Sequence, residues 1–163
     1  MKTQHLVRLT ALVATLAAAL VACKKEDHAG HDHGKTSGKA AKQIAGPKGG
    51  KLLEGTSPRA EFVIGADRRV TVAFYDDQLK PVAASAQVVA VTAEPKTGKT
   101  ALSMESKDGA FASKEPLPDG DSYTIVVQIK TTAEAAPQNF RIPLNLSDCG
   151  GCKRKEYACT CDH

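Results

Sequence analysis

Between residues 47 and 147, apolar side chains recur at every second position in short runs. This is the period of strands with one face on a core and the other in solvent. Phe62 and Ile64 alternate with Glu61 and Val63, and Val70, Val72 and Phe74 alternate with Thr71 and Ala73. Tyr123, Ile125, Val127 and Ile129 alternate with Thr124, Gln128 and Lys130, while Phe140, Ile142, Leu144 and Leu146 alternate with Asn139, Arg141 and Asn145. Residues 87–93 predict a continuous apolar strand, and residues 51–53, 100–105 and 110–113 predict weaker ones. Turn residues divide the runs at Gly65-Ala66-Asp67, Asp76-Asp77, Thr97-Gly98-Lys99, Asp108-Gly109 and Pro118-Asp119-Gly120. Roughly seven or eight short strands without a helical period predict an all-β fold, a single immunoglobulin-like antiparallel β-sandwich.

The pattern stops at both ends of this stretch. Residues 1–8 carry Lys2 and Arg8, and residues 9–21 are apolar and uncharged, the two parts of an export signal. As a helix, residues 9–21 would rise only about 20 Å, short of the roughly 30 Å hydrocarbon core. The segment is therefore expected to be removed rather than kept as a membrane span. Residues 24–46 are small or polar, with Ile44 the one large aliphatic. They cannot bury enough apolar surface to offset chain entropy, and as a flexible tether they would span about 25 to 30 Å. The expected organisation is a leader at 1–22, a disordered tether at 23–46, the sandwich at 47–147 and a short Cys-rich tail at 148–163.

Loss of Lys2 and Arg8 with the leader would lower the formal net charge from +4 to about +2. With three Tyr, four Phe and no Trp, and no dense basic patch, the chain offers little to nucleic acid. Beyond the leader, every His and Cys lies outside residues 47–147, so the sandwich lacks the usual general base and a thiol nucleophile. Glu61, Asp76, Asp77 and Glu94 fall at strand edges and turns, where solvated carboxylates are expected. Thr97-Gly98-Lys99-Thr100 resembles the end of a phosphate-binding loop, but Ala93 stands where that motif needs its first glycine. It reads as a hairpin turn. No Gly-x-Ser-x-Gly elbow is present either, and the chain is expected not to be an enzyme.

Candidate chemistry is confined to the flanks. Cys149-Gly150-Gly151-Cys152 is followed by Cys159-Thr160-Cys161 and His163. A Cys-x-x-Cys turn can set two sulfurs on one ion, with Gly150 and Gly151 permitting a tight backbone. In an extended Cys-x-Cys both side chains face one way. The four thiols predict an S4 site for Zn(II) or Cu(I), with His163 a substitute or extra ligand. Lys153, Arg154 and Lys155 between the pairs would favour thiolates. Two alternatives stand beside this: a tail stapled by disulfides in one of three connectivities, and thiol exchange through Cys149 and Cys152. Near the other end, Asp27, His28, His31, Asp32 and His33 fall within seven residues. Their imidazoles could gather a divalent Zn, Cu, Ni or Co ion above about pH 6.5, or the segment is simply a polar spacer.

Three resemblances add to this reading. Leu20-Val21-Ala22-Cys23 resembles the lipobox of bacterial lipoproteins, which implies cleavage before Cys23, acylation of its thiol and stable anchoring by more than one acyl chain. Lys24, in place of the Asp that retains such proteins in the inner membrane of enteric bacteria, points to the outer membrane. The His/Asp stretch followed by Gly46-Pro47-Lys48-Gly49-Gly50-Lys51-Leu52-Leu53 is similar to the amino-terminal periplasmic region of heavy-metal efflux adaptors and of small lipoproteins beside them. It covers roughly residues 27–80. The chain has no room for the hairpin, lipoyl and barrel domains of an adaptor, so the resemblance implies only an accessory role beside efflux components. Leu117-Pro118-Asp119-Gly120-Asp121-Ser122-Tyr123 resembles the tyrosine corner of immunoglobulin-like sandwiches, which makes Tyr123 a structural residue. The rival function is an envelope interaction module docking through a strand edge. A copper-delivery role is weaker, because beyond the leader only Met104 remains to supply a thioether.

Overall fold

The computed structural model describes residues 43–161. The leader, Cys23, the His/Asp segment at 27–33 and His163 lie outside the described residues. Strands β1 (Lys51–Leu53), β2 (Arg59–Ile64), β3 (Val70–Tyr75), β4 (Pro81–Val82), β5 (Val88–Glu94), β6 (Thr100–Leu102), β7 (Met104–Lys107), β8 (Ala110–Ser113), β9 (Thr124–Lys130) and β10 (Gln138–Pro143) form two antiparallel sheets. One sheet runs β1-β2-β3-β8-β7 with β4 on the end of β3, and the other runs β10-β9-β5-β6. Setting aside β1 and β4, the order matches the ABED and GFC sheets of the immunoglobulin fold, with β6 as the added strand beside C.

The core lies between the sheets. Phe62, Val72 and Phe74 from one meet Val91, Ile125, Val127 and Ile142 from the other. In β9 the predicted alternation holds: Ile125, Val127 and Ile129 are buried and Gln128 is exposed. The Tyr123 hydroxyl donates to the Pro118 carbonyl at 2.7 Å, the upstream backbone bond expected of a tyrosine corner. Arg68 ties the same corner down by donating to the Pro118 and Gly120 carbonyls.

Three departures from the sequence reading have physical causes. Residues 100–105 are not one strand, because the chain changes sheets at Ser103. Leu102 and Met104 both turn toward the core, but β6 pairs with β5 and β7 pairs with β8. The apolar run at 87–93 is half-exposed: Val89, Val91 and Ala93 point inward, while Val88 and Ala90 occupy the outer face. The third departure is Glu61, which is not solvated but fully buried.

Glu61 sits on the outer face of β2, beneath the loop at 46–50. Its Oε1 accepts from the backbone N–H of Lys48 at 2.9 Å and of Gly50 at 2.8 Å. The loop can close this tightly because it is glycine-rich. A Cβ on Gly46 would overlap the Glu61 carboxylate, one on Gly50 would overlap the Phe62 carbonyl, and Gly49 turns at φ +81°. Beside it, Ala73, Tyr75 and Ala110 form a second small core. The Tyr75 hydroxyl lies against the same carboxylate without reaching good hydrogen-bond geometry. Burial first, and then Glu61, push this phenol well above its ordinary pKa.

Candidate metal centre

The Cys-rich segment begins as a short antiparallel bridge between Asp148 and Lys155. The Cys149 amide donates to the Arg154 carbonyl at 2.6 Å, and the Lys153 amide to the Cys149 carbonyl at 3.2 Å. The reversal between them is made by Lys153 at φ +56°, a left-handed conformation costly for a non-glycine residue. An ion pair from Lys155 to Asp148 at 2.8 Å closes the base. One 3₁₀ turn, Glu156–Ala158, follows, and the Cys159 amide donates to the Glu156 carbonyl at its end.

Tyr157 seats this segment on the sandwich. Its amide donates to Asn145 O at 3.1 Å, its hydroxyl accepts from the Ile64 amide at 2.9 Å, and its ring stands edge-on to Phe62 at 5.9 Å. Tyr157 and Ala158 therefore belong to the main core. Burial raises the Tyr157 phenol above its ordinary pKa, the Ile64 amide partly opposing, which keeps the hydroxyl neutral.

The consequence is a cluster. The Sγ atoms of Cys149, Cys152, Cys159 and Cys161 all lie within 4.8 Å of one another. Cys149 and Cys159 are 3.2 Å apart, Cys152 and Cys159 3.6 Å, and Cys149 and Cys161 3.9 Å. A zinc–sulfur bond of about 2.3 Å gives a tetrahedral sulfur–sulfur edge of about 3.8 Å. The observed separations bracket that value, and even the 3.2 Å pair is far beyond the roughly 2.05 Å of a disulfide bond. The cluster could thus hold a metal ion with little movement. Cys149 is buried and the other three are partly exposed.

Backbone amides point at the sulfurs. The Cys161 amide donates to Cys159 Sγ at 3.3 Å. The Thr160 amide, and to a lesser degree the Arg154 amide, hold the Cys152 thiol below its ordinary pKa. At Cys159 the Cys161 amide favours the thiolate, but hydrogen bonding with Cys149, burial and Cys152 outweigh it and the pKa rises. Hydrogen bonds with Cys152 and Cys159, then burial, push Cys161 up to about 12. A bound metal favours all four as thiolates.

The two glycines of the Cys-x-x-Cys turn have unequal roles. Neither has a positive φ, and the left-handed residue is Lys153. A Cβ on Gly150 would meet nothing within 4 Å, but one on Gly151 would lie 2.8 Å from Cys161 Sγ. Gly151→Ala should therefore displace Cys161 and weaken metal affinity on the order of tenfold, while Gly150→Ala leaves it unchanged. Competition for Zn(II) against a chromophoric chelator measures both, and equal affinities for the two variants would remove this role for Gly151.

The four cysteines singled out from sequence are thus brought together. His163, Cys23, His28, His31, His33, Asp27 and Asp32 lie outside the described residues. Tyr157 escaped the sequence reading; its one signal is a large aromatic, followed by Ala158, between two thiol pairs in a polar stretch. No protein-family model, curated protein or solved structure matches the chain. Among the described residues, no helix is long and apolar enough to cross a membrane.

Proposed function

We propose that this protein is a lipid-anchored, periplasm-facing lipoprotein of the bacterial envelope that binds or buffers a transition metal and catalyses no reaction. One observation carries the reading: four sulfurs within 4.8 Å of one another, three of the separations close to a tetrahedral edge, with backbone amides aimed at two of them. Amide-to-sulfur bonds stabilise thiolates, the form that ligates metal. The thiolate set suits Zn(II) or Cu(I), and Lys153 and Arg154 supply positive charge on the same segment. The His/Asp segment at 27–33 would collect divalent ions more weakly. The Leu20–Cys23 motif supports acylation of Cys23, and Lys24 supports the outer membrane. The glycine-rich stretch at 46–53 supports an accessory place beside heavy-metal efflux components. Protein purified with its thiols protected should contain about one zinc or copper per chain, and a Cys149→Ser, Cys152→Ser variant should contain none at the tail. Native protein that carries no metal and reacts with no thiol reagent would instead establish the disulfide-stapled interaction module.

A further inference from the structure

The four sulfurs are not held equally. Cys149 is bracketed by two backbone hydrogen bonds, from its own amide to Arg154 and from Lys153 to its carbonyl. Cys152 lies inside the loop those bonds close, with the Thr160 and Arg154 amides on its sulfur. Cys159 is fixed at the end of the 3₁₀ turn through its amide to Glu156, and that turn is seated by Tyr157 against Phe62 and Ile64. Cys161 differs. Among the described residues, no backbone–backbone hydrogen bond is made beyond Cys159, and the Cys161 amide is spent on Cys159 Sγ at 3.3 Å. Its side chain, partly exposed like those of Cys152 and Cys159, lies over Gly151, where no Cβ intervenes.

We propose that Cys161 is the releasable ligand of an exchange site: the metal rests on three anchored thiolates, and the fourth swings away to let a thiolate-bearing acceptor take its place. This rests on the metal-binding reading above and adds a direction of transfer to it. As the bond from the metal to Cys161 Sγ breaks, a bond to the acceptor sulfur forms, and the acceptor's thiol proton passes to Cys161. One thiolate replaces another, so charge at the metal is unchanged and no electrons move. A structural zinc site stays closed on four protein ligands, whereas an exchange site must release one. The acceptor is recognised by its thiol and by reach to a partly exposed sulfur of the cluster.

Co(II) titration of the full chain, with Zn(II) displacement, tests this, since sulfur-to-cobalt charge-transfer bands report how many thiolates bind. Wild type should bind one Co(II) at the cluster with four thiolates. Cys161→Ser should still bind one, through three thiolates, with affinity lower on the order of tenfold, whereas Cys149→Ser and Cys159→Ser should lose on the order of a thousandfold. Equal losses in all these variants would overturn the exchange proposal and leave the metal site standing, while wild type with no charge-transfer bands would overturn both. A second measurement needs no variant. Zn(II)-loaded wild type treated with N-ethylmaleimide and mapped by mass spectrometry should be alkylated first at Cys161. First modification at Cys149 or Cys159, or of all four at once, would overturn the proposal.

Discussion

Glu61→Ala should destabilise the sandwich by about 3 kcal/mol, lowering Tm by roughly 10 °C. The carboxylate is fully buried and is the acceptor for the Lys48 and Gly50 amides. Alanine leaves the buried Gly50 N–H unpaired, at about 1 to 3 kcal/mol, and the part-buried Lys48 N–H at less, and it adds a cavity where the side chain was. Removing the cost of burying a polar side chain offsets part of that loss. Glu61→Gln keeps one acceptor oxygen and the volume, so it should fall between alanine and wild type, at about 1 to 2 kcal/mol. Urea unfolding followed by circular dichroism measures both, and an alanine variant within about 0.5 kcal/mol of wild type would refute a structural role for this carboxylate. The loop it holds contains the glycine-rich stretch, whose close approach depends on missing side chains at Gly46 and Gly50. Gly46, Gly49 and Gly50 therefore each have a part in closing this loop.

Legibility in the sequence followed how local each interaction is. Tyr123 announced itself because its partner, the Pro118 carbonyl, is five residues away, within the motif that names the corner. The alternation at Ile125, Val127 and Ile129 was readable because β9 is central in its sheet, with β10 and β5 on either side, and polar residues mark part of its outer face. The sheet change at Ser103 was not readable, because Leu102 and Met104 keep a two-residue period straight through it and only the pairing partners differ. Glu61 misled for a similar reason. Its period places it on the outer face, which is correct, but its burial comes from a loop at 46–50 that pattern alone cannot place. At the site, spacing of the cysteines was enough to predict convergence. What spacing could not give was Tyr157, whose hydrogen bond reaches Ile64 across 93 positions, or the distinction between Gly150 and Gly151, which depends on where Cys161 returns.

Metal removal should lower the stability of the whole sandwich, not only loosen the tail. The reason lies in shared core: Tyr157 and Ala158 pack in the same cluster as Phe62, Val127 and Ile142. The cysteine segment therefore cannot leave without stripping Tyr157 from Phe62 and the Ile64 amide from its acceptor. A ligand that binds only the folded segment then stabilises the folded domain by mass action. With metal at a thousandfold over its dissociation constant, the gain is about 4 kcal/mol. Tm should fall by roughly 10 to 20 °C when a strong chelator is added to the metal-loaded protein and recover on titrating Zn(II) back. The difference should shrink as pH falls, because protons compete for thiolates: Cys161, at about 12 without metal, must lose its proton to bind, so metal binding releases protons and strengthens as pH rises. Differential scanning calorimetry of loaded and chelated protein at two pH values provides the comparison. Coincident melting of both forms at neutral pH would mean that the cluster and the sandwich are thermodynamically independent, and the seating of the site by Tyr157 would have to be abandoned.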